Sequence, residues 1–452
     1  MKLIYGVKDK PPVGRLIVFA IQQLLAIMAA TLVVPVIING AVEGANMSSA
    51  AALLGAGVGT LVYILFTKAN SPVFLGSSFA FINSMIAAFS GSIAVGYLGI
   101  VLGAIFAGLV YVVIALVIKF VGVNWVSKLM PAVVIGPTVA IIGLSLAGNA
   151  IGDLTKANQE GGSVYVALIC GLITLAVTML CSTYGKKMTR LIPFIIGILS
   201  GYAAASLFYV VGELTGLDAL KIIDYSALVN NFKTIDLNSF VSVPDFTFVT
   251  AFKGIKEITL ADIGTVAVAY VPVAFVVFAE HIADHKNLSS IIESDLLEEP
   301  GLHRTLLGDG VGSMVGAFFG GCPNTTYGES VGCVAITRNA SVASIIAAAI
   351  GAIIISFITP FVAFVNTIPS CVMGGVCMAL YGFIAVSGLK MIQKVDLEKN
   401  RNLFVVSVIL IAGIGGLSVS FGKITLTAVA CALILGILAN VMLSKQEAEI
   451  EE

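Results

Sequence analysis

Long apolar stretches recur along this sequence from Ile17 to Leu443, with only short polar breaks between them. An α-helix needs about 20 apolar residues to cross the hydrocarbon core of a bilayer. Charged residues make up 11% of the chain, whereas soluble domains carry roughly 25%. A chain of this kind cannot cover its surface with polar groups in water. The sequence therefore predicts an all-α polytopic membrane protein that forms one continuous bundle.

Hydropathy predicts about 14 transmembrane segments. They lie near 14–39, 47–67, 72–90, 93–120, 126–150, 163–183, 190–212, 260–283, 304–321, 323–340, 341–365, 369–390, 402–420 and 424–444. The one long polar connection, residues 212–256, separates about seven segments in each half. An odd number in each half makes the halves inverted repeats in the membrane.

The distribution of basic residues supports this arrangement, because Lys and Arg collect in cytoplasmic loops. With the N-terminus inside, all but six of the 24 Lys and Arg residues fall on the cytoplasmic side. The six on the outside are Lys156, Lys221, Lys233, Lys253, Lys256 and Lys423. We therefore expect a multi-pass protein of the cell membrane with both termini in the cytoplasm.

The third predicted segment of each half is unlike the others. These segments read SPVFLGSSFAFINS (71–84) and GGCPNTTYGESVG (320–332), and each has a proline near its start. Gly, Ser, Thr and Asn are poor helix formers, so part of each segment should be extended. Such backbone is tolerated at membrane depth only inside protein or beside a cavity. Paired interrupted segments in inverted halves indicate a substrate site near the midplane; the alternative is a pair of kinks for close helix packing.

Ionisable side chains within apolar segments are costly in a bilayer and usually have a function. Glu280 ends the apolar run AYVPVAFVVFAE (269–280), and Glu329 lies inside the second interrupted segment. Asp284 follows Glu280 by four residues and lies on the same helical face. We select Glu280 and Glu329 as the candidate site carboxylates.

Two histidines and a lysine accompany these acids in EHIADHK (280–286). We interpret His285 and Lys286 as solvated residues that cap the helix at the cytoplasmic surface. His281 and His285 are four residues apart, but the glutamate precedes the first histidine, which is not the spacing of a zinc protease motif. No metal site and no cofactor are predicted.

Two carboxylates in a dry cavity can have different chemical roles. One can stay ionised and accept hydrogen bonds from a ligand, while the other carries a proton. A flat lactam presents N–H donors beside carbonyl acceptors, and the start of a half-helix offers free N–H groups for such carbonyls. Gly328 lets a planar ligand approach the backbone, and Phe79 can offer its ring or its N–H. This chemistry predicts proton-coupled uptake of a small polar molecule.

Several motifs resemble the nucleobase–ascorbate transporters, also called nucleobase:cation symporters of the second type. The signature is NTTYGESVGCVAITR (324–338), with AEHI (279–282), GSSFAFI (76–82) and QQLLAIMAATLVVP (22–35) as further matches. The similarity spans nearly the whole chain. Glu329 and Arg338 resemble the uracil permease branch, since xanthine permeases more often have Gln and Gly there.

The resemblance implies a core domain and a gate domain, each built from both halves, and a short antiparallel strand pair from segments 3 and 10. Residues 1–121 and 260–366 would form the core domain, and residues 122–213 and 367–452 the gate domain with a cytoplasmic tail. Residues 214–259 would form an extracellular connection. A homodimer through the gate domains is also implied.

The resemblance also implies roles for individual residues. The substrate-binding residues would be Glu280, Glu329, Phe79, Gly328, Tyr327 and Ala30. Proton coupling would involve Glu280, Asp284 and Gln23. Two positions depart from the family pattern: a Gln–His pair of the first segment is Gln22–Gln23 here, and Asp284 stands where the family has a histidine.

The resulting hypothesis is a secondary active transporter that imports uracil by proton symport with alternating access. A xanthine or urate permease of the same family is the alternative within this class. An anion transporter of similar fold would need a cationic residue in its cavity, and only Arg338 lies near the interrupted segments, at their cytoplasmic end. An enzyme is not predicted, because the segments contain no nucleophile and base pair. The expected partners are uracil or a related nucleobase, protons and lipid, with sodium as an alternative ion and no nucleic acid.

Overall fold

The computed structural model describes residues 3–122, 131–159, 161–186, 188–421 and 424–450. The helices that precede the long connection are α1 (Val13–Ala41), α2 (Ser49–Phe66), α3 (Ile82–Ala88), α4 (Ile93–Val121), α5 (Ala132–Ser145), α6 (Ala147–Leu154), α7 (Val164–Tyr184), α8 (Met188–Leu191) and α9 (Pro193–Thr215). The connection contains α10 (Ser226–Phe232) and α11 (Thr247–Gly254).

The second half begins with the longest described helix. Its helices are α12 (Leu260–Ile292), α13 (Leu302–Gly320), α14 (Gly328–Thr337), α15 (Val342–Ser356), α16 (Thr359–Asn366), α17 (Ser370–Ile392), α18 (Asn400–Ile414) and α19 (Ala428–Ile450). Two short two-stranded sheets form: β1 (Leu75–Ser77) pairs with β2 (Asn324–Thr326), and β3 (Val419–Phe421) pairs with β4 (Ile424–Leu426).

Eight helical stretches in the described part of the chain are long and apolar enough to cross a membrane. They are Val13–Ala41, Ser49–Phe66, Ile93–Val121, Ala132–Leu154, Val164–Tyr184, Pro193–Thr215, Leu260–Ile292 and Ser370–Ile392. Shorter apolar helices cover Phe79–Ala88, Val342–Ser356, Asn400–Ile414 and Ala428–Leu443. The prediction of a multi-pass helical protein is confirmed at this level. The start of the predicted fifth segment, residues 126–130, lies outside the described residues.

Local polar side chains explain where three of the long helices begin. The Ser48 side chain accepts a hydrogen bond from the Ala51 N–H at the start of α2, and Ser92 does the same for α4. Thr259 and Asp262 form a reciprocal capping box at the start of α12. Such caps satisfy N–H groups that have no partner within a helix.

The two interrupted segments contain the extended backbone that the sequence predicts. We call residues 71–88 the first crossing segment and residues 321–337 the second crossing segment. β1 and β2 pair antiparallel, with Gly76 opposite Thr325. The Ser78 N–H continues the ladder by donating to the Pro323 carbonyl at 2.8 Å. The strand pair therefore joins the two halves inside the bundle, and the alternative of simple kinks is wrong.

The long helices pack in two groups. α2 packs on α13 where Gly55 meets Gly316 with no room for a Cβ, and α1, α4, α12 and α15 belong to the same group. In the other group α5 packs on α17, again at a glycine, Gly388, which meets the backbone of Ala140. Helices α7, α9, α18 and α19 belong to this second group. The crossing segments lie with the first group.

The polar end of α12 differs from the prediction. The helix continues to Ile292 instead of ending near residue 283. His285 is 0% exposed, so its interpretation as a solvated cap is wrong, whereas Lys286 is exposed as expected. His285 contacts Tyr63 of α2, and local polarity in the sequence does not reveal such a contact between distant helices.

Candidate functional site

A cavity of about 360 Å³ lies between the two helix groups. The first group contributes residues of the two crossing segments and of α12. The second group contributes mostly apolar side chains, mainly from α5 and α17, together with the hydroxyl of Ser387. The residues from the first group are Ser78, Phe79, Ala80, Glu280, Ala283, Asp284, Thr325, Thr326, Tyr327, Gly328 and Glu329. Two of the predicted site residues, Ala30 and Gln23, are absent from the lining.

The second crossing segment presents the start of α14 to the cavity. Gly328 is the first residue of this helix, and its N–H has no acceptor within the described residues. Glu329 follows in the first turn, where the positive end of the helix dipole stabilises a negative charge. An ideal Cβ at Gly328 would meet only Asp284 Oδ1, at 3.7 Å. The backbone here is open to a ligand.

The first crossing segment presents an aromatic side chain at the corresponding place. Phe79 follows the end of β1 by two residues, and its ring packs edge-on against Tyr381 of α17, with 6.1 Å between ring centroids. The Phe79 N–H likewise has no acceptor in the part of the chain that the structure describes. Two unpaired backbone donors, one from each half, therefore lie at the same cavity.

Three carboxylates share this space. Glu280 and Asp284 come from α12, and Glu329 comes from α14. Asp284 accepts a hydrogen bond from Thr326 Oγ1 at 2.9 Å, which ties α12 to β2. The described lining residues include no Lys, Arg or His. The cavity is therefore suited to a ligand that donates hydrogen bonds, and to protons.

Tyr327 lines the cavity but is largely buried, with 4% of its surface exposed. Its hydroxyl donates to the Ser77 carbonyl at 2.7 Å. Its ring lies over Gly76, where a Cβ would overlap the ring atoms. Tyr327 therefore fixes the strand pair, and only part of its surface is available to a ligand.

Gln23 and Ala30 lie in α1 behind the cavity, 3% and 1% exposed. The Gln23 amide donates to Ser330 Oγ. The same oxygen accepts the Phe74 N–H at 3.0 Å. Ser330 thus connects α1, the first crossing segment and α14, a role that sequence reasoning missed. Its position directly after Glu329 is the only sequence signal for that role.

A buried acid on α13 was also missed. Asp309 is 0% exposed, and its Oδ2 lies 2.7 Å from His281 Nδ1. His281 Nε2 lies 3.0 Å from Thr305 Oγ1. The same rule that selected Glu280 could have found Asp309, because it is the one acidic residue in the predicted segment 304–321.

One polar contact joins the two helix groups near Phe79, outside the cavity lining. Asn83 of α3 donates to Ser145 Oγ at the end of α5, at 3.2 Å. Together with the contact between Phe79 and Tyr381, this hydrogen bond joins the two helix groups on that side. Elsewhere on α14, Cys333 packs with Leu191 of α8 and with Ile192.

Comparisons with known proteins give a consistent result. The model of the Permease family matches residues 14–420. The chain is 38% identical to the uracil permease of Bacillus subtilis (strain 168), over 99% of this chain and 97% of that protein. It is 35% identical to the uracil permease of Escherichia coli (strain K12), over 96% of this chain and 92% of that protein.

Solved structures share the fold at low sequence identity. The transmembrane domain of the cyanobacterial bicarbonate transporter BicA has a TM-score of 0.62 and 15% identity, covering 96% of this chain and 100% of that chain. The murine anion transporter Slc26a9 in its inward-facing state has a TM-score of 0.64 and 11% identity, covering 97% of this chain and 69% of that chain. These likenesses concern the fold alone.

Proposed function

Because this chain belongs to the nucleobase–ascorbate transporters, in the uracil permease branch, we propose that it imports uracil by proton symport with alternating access. Uracil permeases of similar length match nearly the whole chain. The protein is accordingly a transporter. The coupling ion and the roles of individual residues are the parts of this proposal that need support from geometry.

One observation carries the proposal: carboxylates and unpaired backbone N–H groups meet in one cavity. Uracil has two ring N–H donors and two carbonyl acceptors. Glu280 and Glu329 can accept the donors, and the N–H groups of Phe79 and Gly328 can donate to the carbonyls. The Phe79 ring offers an apolar surface for the flat face. A polar site of this kind rejects analogues that leave its groups unpaired.

The described lining residues include three carboxylates and no Lys, Arg or His, which favours binding of a proton in the cavity. Glu280, Asp284 and Glu329 repel one another when all are ionised, and a proton on one of them relieves that repulsion. We propose Glu280 as the proton carrier, with Asp284 modulating its charge. Gln23 cannot titrate, so we propose that it acts on coupling through Ser330.

The two helix groups support a division into a moving and a static part. We propose that the first group is the core domain, residues 1–121 and 260–366, and the second the gate domain, residues 122–213 and 367–452. The two crossing segments would be segments 3 and 10 of about 14 in a seven-plus-seven inverted repeat. Ala30 would support the site from behind, and residues 214–259 would cross the outer surface.

The distribution of Lys and Arg supports a cell-membrane protein with both termini in the cytoplasm. A homodimer through the gate domains follows from the family resemblance. The large exposed apolar side chains of α18, such as Phe404 and Ile411, are compatible with a partner or with lipid at that surface.

The related solved structures include bicarbonate and other anion transporters, but an anion is a poor ligand for this site. The described lining contains three acids and no basic residue. A xanthine or urate permease remains the alternative within the family, because those substrates present similar donors and acceptors.

The test is uptake of labelled uracil by vesicles that contain the purified protein. An imposed inward proton gradient should drive accumulation, and adding sodium should not change it. Glu280→Gln and Glu329→Gln should each abolish accumulation. Accumulation by both variants at the wild-type level would refute the proposal, and stronger competition by xanthine than by unlabelled uracil would favour the alternative substrate.

A further inference from the structure

Helix α12 carries two polar faces, and the proposed function uses only one of them. Glu280 and Asp284 lie on the face toward the cavity. His281 comes directly after Glu280, and His285 directly after Asp284; both histidines are 0% exposed. The two rings stack with their centroids 4.0 Å apart. Buried polar groups of this kind are costly unless they are paired, so their partners matter.

The imidazole face is bound to two other helices. His281 contacts Asp309 and Thr305 of α13. His285 Nε2 lies 2.7 Å from the hydroxyl of Tyr63 in α2. The Tyr63 hydroxyl also lies 2.7 Å from Ser71 Oγ, at the beginning of the first crossing segment. All three members of this Ser71–Tyr63–His285 chain are 0% exposed.

The hydrogen atoms in this chain follow from one fixed contact. His285 Nδ1 lies 2.8 Å from the His281 carbonyl oxygen, which can only accept, so Nδ1 donates. In a neutral imidazole Nε2 is then an acceptor, and the Tyr63 hydroxyl donates to it. The Tyr63 hydroxyl is also placed to donate to Ser71 Oγ, so its one hydrogen lies between two acceptors, His285 Nε2 and Ser71 Oγ. Every member of the chain therefore has a partner.

Helix α12 is thus attached to both crossing segments by consecutive residues. Asp284 accepts from Thr326 of the second crossing segment, and His285 reaches Ser71 of the first through Tyr63. Consecutive residues point in directions about 100° apart around a helix. Two attachments in different directions fix the rotation of the helix about its axis. Glu280 lies about one turn away from both.

We propose that Tyr63 and His285 are positioning residues for the ligand: the Ser71–Tyr63–His285 chain sets the rotation of α12 and so places the Glu280 carboxylate against the strand pair. This inference rests on the proposed function, because it takes the cavity as the uracil site. Neither residue contacts the cavity, so both act through Glu280.

The first test compares two buried tyrosine hydroxyls. Tyr63→Phe removes the hydroxyl that joins His285 to Ser71. Tyr270→Phe is the matched control, because Tyr270 is also 0% exposed and its hydroxyl has no partner in the described residues. The dissociation constant for uracil is measured on the purified full chain, with thermal unfolding in parallel. We expect the constant to rise about tenfold for Tyr63→Phe, since small displacements of a binding group are costly, and less than about twofold for Tyr270→Phe.

A second pair of variants decides the matter if Tyr63→Phe does not fold. His285→Gln keeps an oxygen that can accept the Tyr63 hydroxyl, whereas His285→Leu has none. Glutamine should restore most of the affinity that leucine loses, and adding Tyr63→Phe to His285→Leu should cause no further loss. Equal affinity for the glutamine and leucine variants would overturn the inference. Absence of uracil binding by the unaltered protein would instead reject the proposed function itself.

Discussion

The two crossing segments follow a similar backbone course with different chemistry. The second residue after β1 is Phe79 and the second after β2 is Gly328. The third residues are Ala80 and Glu329. The first segment thus presents a ring and a methyl group where the second presents bare backbone and a carboxylate. The difference teaches that the two halves share a local scaffold that brings residues to one cavity, while each half lines that cavity with different chemistry.

The third position should show the largest contrast. Glu329→Gln removes a charged acceptor, and a hydrogen bond to a charged group contributes about 1.5–3 kcal/mol. We expect uracil uptake to fall about 100-fold. Ala80→Ser, at the corresponding place of the first segment, should lower uptake by no more than about threefold. Initial rates at matched amounts of protein provide the measurement, and similar losses for both variants would contradict the division of roles.

A glycine in each segment should separate stability from affinity. In Gly76→Ala the new methyl group would overlap the Tyr327 ring, and overpacking typically costs about 1–3 kcal/mol of unfolding free energy. In Gly328→Ala the nearest atom is Asp284 Oδ1 at 3.7 Å, so the protein should remain stable. The methyl group would instead occupy ligand space and weaken uracil binding about tenfold.

Thermal unfolding and uracil binding, measured on both alanine variants, distinguish these two effects. Gly76→Ala should lower the unfolding temperature, and Gly328→Ala should leave it unchanged. The reverse pattern would show that the glycine of the second segment is needed for folding and not for the ligand.

A change at Phe79, the second residue after β1, should weaken uracil binding less than Glu329→Gln. Phe79→Leu keeps an apolar side chain and the backbone N–H but removes the aromatic face, and aromatic contacts contribute about 0.5–1.5 kcal/mol beyond burial. We expect the dissociation constant for uracil to rise about fivefold. A loss as large as that of Glu329→Gln would mean that the ring, and not the carboxylate, dominates recognition.

The smallest effect is expected where the first segment meets α5. Asn83→Ala removes the hydrogen bond to Ser145, which should favour opening on that side by about 0.5–1.5 kcal/mol. The reporter is Ser78→Cys in a background without the seven native cysteines, labelled from outside by an impermeant maleimide. Labelling should become about threefold faster. An unchanged rate would show that this contact does not hold that side of the cavity closed.

Much of this arrangement could be predicted from the sequence, because two signals are local. Hydropathy located the long helices, and the Pro, Gly and Thr residues around Ser77 and Thr326 indicated extended backbone. Glu280 and Glu329 stood out because acids in apolar segments are rare. All these features depend on residues close together in the chain.

What could not be predicted depends on contacts between distant residues. His285 looked like part of a solvated helix end, but it is buried and its side chain contacts Tyr63, far earlier in the sequence. The resemblance assigned Gln23 to proton coupling, and its hydrogen bond to Ser330, outside the cavity lining, could not be predicted from the sequence. Asp309 carried a local signal that was overlooked, and its pairing with His281 follows from the packing of α13 on α12.

The strand pair has a consequence for biosynthesis. β1 belongs to the first half of the polypeptide, yet among the described residues its strand partner is β2, which is translated about 250 residues later. Until the ribosome has delivered that second strand, the N–H and carbonyl groups of residues 75–77 have no ladder to join. The first half therefore enters the membrane with an incomplete interior, and the cavity can be complete only after the chain up to Met391 has been made.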